Sequence, residues 1–222
     1  MVSQFVDGPL FADRADAGTR LARRLAEMMW SDPVVLGLAR GGVPIAAKVA
    51  EALDAPLEVA VSRKIGAPGR REFGIGAVTA EGPPQYNERT LAALGLTADD
   101  LREDCERERA EARRRLERYR KGRDPVPLAG RDVLLIDDGL ATGVTARAAL
   151  GELRAAGPAR LVFAAPVCAR DSRDALCAAA DADEVVCLFA PPEFGAVGLW
   201  YRDFGQTSDE EVLAALADRA RT

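Results

Sequence analysis

The sequence predicts an α/β fold in which a mostly parallel, twisted sheet has helices on both faces. Short apolar segments typical of strands alternate with helical segments along the chain, and this alternation favours a parallel sheet. At residues 34–53 and again at 133–156, a predicted strand runs through a glycine turn into a helix. The 222 residues suffice for one α/β domain, so we expect a single domain over residues 1–222. Its core should span residues 31–190, with a small C-terminal hood over residues 191–222.

The N-terminal part predicts a helix followed by two strands. Apolar residues recur at intervals of three and four over residues 13–30, which indicates an amphipathic helix. An apolar strand over residues 34–39 leads into Arg40-Gly41-Gly42, and a helix over about residues 45–53 follows. A second strand is expected at residues 57–61.

A basic, glycine-rich connection follows at residues 62–71. It holds four bases among glycines and a proline, so we predict a mobile loop in solvent and no buried element. A strand at residues 75–79 and a turn at residues 81–84 complete this region.

Residues 97–123 predict a charge-dense helix. Acids crowd its beginning and bases its end, as the helix dipole favours, and Thr97 with Asp100 approximates a capping box. Because the apolar stripe is narrow, we expect a solvated helix that lies on the domain or against a second subunit. The alternative is that its arginines bind nucleic acid.

The remainder of the chain predicts three strands and three helices. The strands are expected at residues 133–136, 161–167 and 184–189, with helices over residues 146–156 and about 172–180. The tail concentrates aromatic side chains between Phe194 and Phe204, and a short helix opened by Ser208 and Asp209 follows.

Composition excludes several kinds of site. The chain has no histidine, so a Ser-His-Asp or Cys-His catalytic arrangement and a histidine zinc site are excluded. Cys168, Cys177 and Cys187 lie in or beside apolar segments and are expected in the core.

A net charge of −5 argues against sequence-independent nucleic-acid binding. With neither a signal-like start nor a run of membrane-spanning length, we expect a cytoplasmic protein without membrane contact.

The stretch from Val133 to Thr145 carries the strongest functional signal. Its apolar strand runs into the adjacent acids Asp137 and Asp138, then into a Gly/Ala/Thr turn and the next helix. Such a strand–loop–helix unit presents backbone N–H groups and the positive end of a helix dipole, where a phosphate can bind. Because paired acids accept hydrogen bonds from hydroxyls, we expect a ligand that carries both a phosphate and a ribose.

This stretch closely resembles the phosphoribosyl diphosphate (PRPP) motif of the type I phosphoribosyltransferases, in which two acids precede a loop that ends in Thr-Gly-x-Thr. Over nearly the whole chain, the sequence is similar to a bacterial subgroup described only as predicted phosphoribosyltransferases. The resemblance implies that family's fold and transfer of the phosphoribosyl group of PRPP to a nucleobase-like acceptor, with release of pyrophosphate. It implies Mg²⁺ as cofactor, held mainly by substrate and water and by no protein ligand directly.

The resemblance also implies roles for individual residues. Asp137 and Asp138 would bind the ribose hydroxyls and stabilise the positive charge that develops on the sugar. The 5′-phosphate would bind to the loop formed by Ala141, Thr142, Gly143, Val144 and Thr145.

Two further segments are similar to parts of that family. Arg40, Gly41 and Gly42 resemble its pyrophosphate loop, which often contains a non-proline cis peptide before the basic residue, here Ala39–Arg40. The basic connection resembles its flexible loop, which closes over the pyrophosphate. Arg63 and Lys64 are the favoured pyrophosphate contacts there, with Lys64 also counted as catalytic, and Arg70 or Arg71 are weaker candidates.

The acceptor is left open by the resemblance. Purine-salvage members commonly carry an acid where this chain has Ala141, which argues against ordinary hypoxanthine or guanine salvage, although Glu72 could supply a carboxylate. The family builds its acceptor hood from terminal segments, which points here to Phe194, Trp200 and Tyr201. These rings could stack on a planar acceptor or could simply anchor the tail.

Three functions therefore stay open. An enzyme is the leading expectation, and the main alternative is a non-catalytic sensor of PRPP or a nucleotide that regulates a partner. The Arg-Gly-Gly loop and the basic connection favour the enzyme, because a sensor of a nucleoside monophosphate needs neither. Attenuation through RNA binding by the arginine-rich helix is disfavoured by the negative net charge. A homodimer is also left open.

Overall fold

The computed structural model describes residues 8–179 and 181–219, which form helices and two sheets. The strands are β1 (Val34–Leu38), β2 (Leu57–Ala60), β3 (Ser62–Ala67), β4 (Arg70–Thr79), β5 (Gln85–Tyr86), β6 (Asp132–Ile136), β7 (Arg160–Val167) and β8 (Glu184–Phe189). The α-helices are α1 (Arg14–Ala26), α2 (Gly42–Leu53), α3 (Glu88–Leu94), α4 (Arg102–Arg120), α5 (Val144–Ala155), α6 (Arg170–Ala178) and α7 (Asp209–Arg219). Short 3₁₀ turns occur at Asp99–Leu101 and Val197–Trp200.

A five-stranded parallel sheet forms the centre of the fold, in the order β2-β1-β6-β7-β8. β1 and β6 are neighbours, and Gly37 pairs with Ile136 near their carboxyl ends. The loops that follow these two strands therefore begin side by side at one edge of the sheet. A second, antiparallel sheet has the order β3-β4-β5. This architecture confirms the predicted α/β class.

The central strands separate two hydrophobic layers, because successive side chains of a strand point to opposite faces. Every residue of β1 and β6 is buried. Val35 and Leu134 face a layer built from α1, α2 and α7, whereas Leu36 and Leu135 face a layer built largely from α5 and α6. Helices thus cover both faces, and the terminal helices α1 and α7 contribute to the core.

Side chains cap the starts of α1 and of the charge-dense helix, and the capping box predicted for the charge-dense helix is confirmed. Asp13 caps α1 and accepts a hydrogen bond from the Asp16 amide at 2.8 Å. At the start of the charge-dense helix, the Thr97 amide donates to Asp100 Oδ2 at 2.8 Å and the Asp100 amide donates to Thr97 Oγ1 at 3.4 Å. The capping box overlaps the 3₁₀ turn that leads into α4.

The prediction of a mobile loop at residues 62–71 is wrong, because β3 and the first part of β4 form a hairpin there. Ile65 and Ala67 are buried in a third hydrophobic cluster, against α3 and the start of α4. The basic side chains of β3 avoid this cluster: Arg63 pairs with Glu108 of α4, and Lys64 is exposed. Because side chains alternate along a strand, Lys64 points away from Ile65, whereas Arg63 lies on the same side as Ile65 and is accommodated there by its ion pair with Glu108.

The remaining differences concern the short elements β5 and α3, and the helix α6, which packs on the core through one face only. β5 and α3 were not predicted, although Asn87 caps α3 by accepting a hydrogen bond from the Thr90 amide at 3.1 Å. Cys177 is exposed, contrary to prediction, because α6 turns only one side toward the core and Leu176 occupies it. Residue 180, the predicted end of that helix, lies outside the described residues.

The arginines of α4 are extensively ion-paired. Arg114 and Arg115 both donate to Glu111, and Arg107 pairs with Asp104. Within residues 8–179 and 181–219, no helix is both long enough and apolar enough to cross a membrane.

Candidate active site

The predicted pyrophosphate loop and the acidic pair meet at the carboxyl edge of the central sheet. A Cβ atom added to Gly41 would lie 1.9 Å from Asp138 Oδ2, and one added to Gly42 would lie 2.3 Å from the carbonyl oxygen of Ile136. Only glycine allows the loop to approach β6 so closely. The Ala39–Arg40 peptide is cis, as the resemblance implied.

The acidic pair is held by main-chain hydrogen bonds. The Asp137 amide donates to the carbonyl oxygen of Ala164 in β7 at 3.2 Å, and the Asp138 amide donates to Asp137 Oδ1 at 2.9 Å. Burial raises the pKa of Asp137 well above its ordinary value, and repulsion from Asp138 adds to this effect. Burial also raises the pKa of Asp138, although Arg14 acts in the opposite direction. The site therefore favours a ligand that brings positive charge or hydroxyl donors to the pair.

Arg14, the first residue of α1, pairs directly with the second acid. Its Nε and Nη2 atoms both donate to Asp138 Oδ2, at 3.0 and 2.8 Å. Its Nη1 atom donates to the carbonyl oxygen of Gly205 at 2.6 Å, which links the acid to the C-terminal tail.

Each acid keeps one carboxylate oxygen that accepts no hydrogen bond from a side chain of the described residues. Asp137 uses Oδ1 to accept the Asp138 amide, and Asp138 uses Oδ2 to accept from Arg14. Asp137 Oδ2 and Asp138 Oδ1 are therefore left to accept from a ligand. Two adjacent acceptors suit the two neighbouring hydroxyls of a ribose.

The predicted phosphate loop lies between β6 and α5. The Leu140 amide donates to the carbonyl oxygen of Val167 at 2.9 Å, and Ser172 Oγ donates to the carbonyl oxygen of Ala141. Gly143 adopts a left-handed conformation, with φ of 76°, and immediately precedes α5. The first turn of a helix has N–H groups without intrahelical partners, so this turn presents donors to an anion. Thr142 is exposed, and Thr145 is half-buried in that turn.

Arg40 extends from the pyrophosphate loop toward the C-terminal helix. Its Nη1 atom lies 3.8 Å from Asp209 Oδ1. Asp209 also accepts a hydrogen bond from the Tyr119 hydroxyl at 2.6 Å, and this bond, with Arg118 and Arg40, lowers the pKa of Asp209. Burial raises the pKa of Tyr119 to about 12, so the hydroxyl stays protonated. The loop, α4 and α7 thus meet at Asp209.

Arg63 and Lys64 point to opposite faces of β3. Arg63 donates through Nε and Nη2 to Glu108 Oε2, at 3.1 and 2.9 Å. Lys64 is exposed, and its charge lowers the pKa of Asp137 against the larger effect of burial. The structure therefore brings Lys64 toward the acids and engages Arg63 elsewhere. Arg70 is exposed at the start of β4, and the side chains of Arg71 and Glu72 lie outside the described part.

The C-terminal tail lies directly over the acidic pair. A Cβ atom added to Gly139 would lie 2.5 Å from Val197 Cγ1, so the tail packs on the residue that follows the acids. A cavity of about 320 Å³ opens beside them, lined by Arg14, Arg40, Gly41 and residues 204–207.

The three predicted hood residues differ in exposure. Tyr201 is buried, with its ring centroid 5.2 Å from that of Phe11, and its hydroxyl donates to the carbonyl oxygen of Asp138 at 2.6 Å. Phe194 and Trp200 are half-buried and line a depression of about 370 Å³ with the exposed Leu199. Tyr201 therefore anchors the tail, while stacking of Phe194 or Trp200 on an acceptor stays a prediction.

Arg14 was missed by the sequence reading. One signal was available: the helix dipole disfavours a cation in the first turn, and Arg14 is the first residue of α1. The partner of Arg14 lies 124 positions away, so no local pattern identifies the pair.

Comparison with known proteins agrees with the motif. The family model described as "Phosphoribosyl transferase domain" matches residues 2–188. A curated protein of Mycobacterium tuberculosis (strain CDC 1551 / Oshkosh), named "Putative phosphoribosyl transferase MT0597", is 47% identical over 211 residues. The match covers 95% of this chain and 47% of that protein, so the chain spans about half the length of the curated relatives it matches.

Solved structures share the fold. The crystal structure of TT1426 from Thermus thermophilus has a TM-score of 0.77 at 43% identity, covering 94% of this chain and 98% of that one. The structure of the AQ2163 protein from Aquifex aeolicus has a TM-score of 0.50 at 12% identity, covering 91% and 86%, and shows a common fold alone. With the family match over residues 2–188 and the 47% identity, these findings show that the chain belongs to the phosphoribosyl transferase family.

Proposed function

We propose that the protein binds PRPP with Mg²⁺ and transfers its phosphoribosyl group to a nucleobase-like acceptor, releasing pyrophosphate. The observation that carries this proposal is the contact between the Arg40-Gly41-Gly42 loop and the acids that precede the phosphate loop. The Arg40-Gly41-Gly42 loop, the acidic pair and the loop of residues 141–145 therefore lie next to one another at one edge of the sheet. They suit the diphosphate, the ribose and the 5′-phosphate of PRPP, respectively.

The chemistry is a displacement at the anomeric carbon of the ribose. A bond forms from an acceptor nitrogen to C1′ as that nitrogen releases its proton to solvent, and the bond from C1′ to the diphosphate oxygen breaks, with its electron pair leaving on pyrophosphate. Positive charge develops on the sugar ring as this bond lengthens, and the carboxylates of Asp137 and Asp138 stabilise it at short range. Their open oxygens also orient the ribose by accepting from its hydroxyls. Arg40 and Lys64 supply positive charge for the leaving diphosphate.

The donor set of the site suits Mg²⁺ held mainly by substrate. Mg²⁺ prefers oxygen ligands and keeps several waters. The acidic pair presents two open carboxylate oxygens, and because burial disfavours their negative charge, a nearby cation would stabilise them. No cluster of three or more Asp, Glu or Cys side chains suited to a metal occurs among the described residues. When bound, Mg²⁺ would neutralise charge on the diphosphate, and Asp137 and Asp138 would contact its water shell.

Two features of the chain bear on the acceptor class. Ala141 takes the place of the acid that purine-salvage members commonly carry, and its carbonyl oxygen accepts from Ser172. The depression beside Phe194 and Trp200 offers partly exposed rings for a planar acceptor. All four cysteines are free thiols, which suits a reducing compartment, and we place the protein in the cytoplasm.

A screen of acceptors tests the proposal. Pyrophosphate release from PRPP is followed with Mg²⁺ present, across a panel of purine, pyrimidine and other heterocyclic acceptors. Release with one acceptor, lost when Asp137 and Asp138 are both replaced by Asn, supports the enzyme. Tight PRPP binding without turnover across the panel would instead indicate a sensor. Absence of PRPP binding would overturn both.

A further inference from the structure

We propose that Arg14 is a positioning residue for the donor sugar, acting through Asp138 as part of a clamp formed by Arg14, Phe204 and Tyr201. The inference rests on the proposed function, because it assigns the residue that orients one of the ribose-binding acids. It also gives the aromatic tail a role in the donor site.

The bond pattern of Arg14 fixes one oxygen of Asp138 and leaves the other open. Nε and Nη2 converge on Oδ2, and among the described residues no side chain donates to Oδ1. The two side chains are only 14% and 16% exposed, so solvent screens the pair weakly. A carboxylate held at one oxygen by two donors cannot rotate freely, and Oδ1 therefore keeps a fixed direction.

The clamp holds the main chain of Asp138 as well. The guanidinium of Arg14 lies 4.0 Å from the centre of the Phe204 ring, whose other neighbour is the Tyr201 ring at 4.9 Å. The Tyr201 hydroxyl donates to the carbonyl oxygen of Asp138 at 2.6 Å. One continuous stack of side chains therefore contacts Asp138 at both its carboxylate and its carbonyl.

A purely structural role explains this arrangement poorly. A cation in the first turn of a helix opposes the helix dipole, and a largely buried ion pair stabilises a fold no better than a well-packed apolar pair. The tail has an independent anchor, because the Leu10 and Phe11 amides donate to the carbonyl oxygen of Trp200 at 2.9 and 3.0 Å. The pair between Arg14 and Asp138 is best explained by the orientation that it gives to the acid.

The test compares ligands that contain ribose with one that does not. Binding of PRPP, ribose 5-phosphate and pyrophosphate, each with Mg²⁺, is measured by calorimetry for the wild-type protein and for Arg14→Gln. Because the ribose contact depends on an oriented Asp138, we expect PRPP and ribose 5-phosphate to bind about tenfold more weakly to Arg14→Gln. Pyrophosphate, which lacks the sugar, should change by less than about twofold.

Two further variants separate positioning from folding. Arg14→Lys keeps the charge with a single donor head, so it should recover part of the lost PRPP affinity even if Arg14→Gln folds poorly. Arg24→Gln is the matched control on the same helix, because Arg24 is exposed and, within the part of the chain that the structure describes, pairs only with Glu27, at 3.5 Å. It should bind all three ligands as the wild-type protein does.

The outcomes are distinct. Equal losses for PRPP and pyrophosphate would overturn the positioning role, since Arg14 would then contact diphosphate or support the whole site. Unchanged PRPP affinity in Arg14→Gln would overturn it too. A wild-type protein that binds no PRPP would refute the proposed function itself, and the inference with it.

Discussion

Replacing Gly41 with Ala tests whether the pyrophosphate loop and the acidic pair form one site. Gly41 has φ of −61° and ψ of −29°, which alanine adopts without strain. The obstacle is steric, because the new Cβ would lie 1.9 Å from Asp138 Oδ2 and 2.7 Å from its Cγ. Such contacts essentially never fall below 3.0 Å, so the loop or the carboxylate must move by about an ångström.

The expected cost follows from that displacement. Overpacking of this kind destabilises a fold by roughly 1–3 kcal/mol, and misplacement of a catalytic group by about 1 Å lowers activity by roughly 100-fold. We therefore expect Gly41→Ala to lose about 2 kcal/mol in free energy of unfolding and to bind PRPP at least tenfold more weakly. Urea unfolding and calorimetry with PRPP and Mg²⁺ measure the two quantities.

Gly151→Ala provides the control for this substitution. Gly151 lies inside α5, and the nearest atom to an added Cβ is Gln85 Nε2 at 3.8 Å. Because alanine favours a helix interior more than glycine does, this variant should gain roughly 0.5–1 kcal/mol and bind PRPP normally. If Gly41→Ala matched the wild-type protein in both stability and PRPP affinity, the close contact between loop and acid would be refuted.

Four further substitutions probe charged and hydrogen-bonded side chains in and around the site. Lys64→Ala should weaken PRPP binding about tenfold in calorimetry, whereas Arg63→Ala should change it less than about twofold. A larger loss for Arg63→Ala than for Lys64→Ala would contradict the conclusion that Lys64 lies on the face of β3 toward the acids. Asp137→Asn should abolish PRPP binding yet raise the melting temperature by roughly 2–4 °C at pH 7, because it removes a buried charge. The raised pKa of Asp137 means that the folded state binds its proton more tightly than the unfolded state does. The gain in melting temperature should therefore vanish below pH 3.8, the ordinary pKa of the carboxyl, where both states are protonated. A gain that does not depend on pH would show that removal of the buried charge is not its cause. Tyr119→Phe, which removes the hydrogen bond to Asp209, should cost about 1.5 kcal/mol in urea unfolding, and an unchanged midpoint would argue against that bond.

Local patterns predicted the central sheet and the motif loops. Four consecutive apolar residues before Asp137 identified β6, and the glycines after Leu38 and Asp138 identified the turns that follow β1 and β6. These signals suffice because strands buried on both faces have continuous apolar sequences. The assignment of Arg40, Gly41 and Gly42 to the site followed from their resemblance to the family's pyrophosphate loop, and the structure places Gly41 against Asp138.

The hairpin of β3 and β4 could not be predicted in the same way. Its bases suggested solvent, because the sequence does not show that Glu108 lies across from Arg63, 45 positions away. Ile65 and Ala67 carried a weak period-two signal that the neighbouring glycines obscured. Pairing with a distant helix therefore decided the conformation of this segment.

The acceptor side of the site depended on long-range contacts even more strongly. Aromatic composition located the tail, but it did not distinguish the buried Tyr201 from the half-buried Trp200. That difference arises from the packing of Tyr201 against Phe11 and from its hydrogen bond to Asp138. Only the assembled fold shows which ring anchors the tail.

The most direct test of the central claim is a crystal structure of the protein with PRPP and Mg²⁺. We expect the two ribose hydroxyls to lie within hydrogen-bonding distance of the open oxygens of Asp137 and Asp138. The 5′-phosphate should lie at the N–H groups of residues 143–145, and the diphosphate beside Arg40. A donor sugar bound out of reach of both carboxylates would contradict the account.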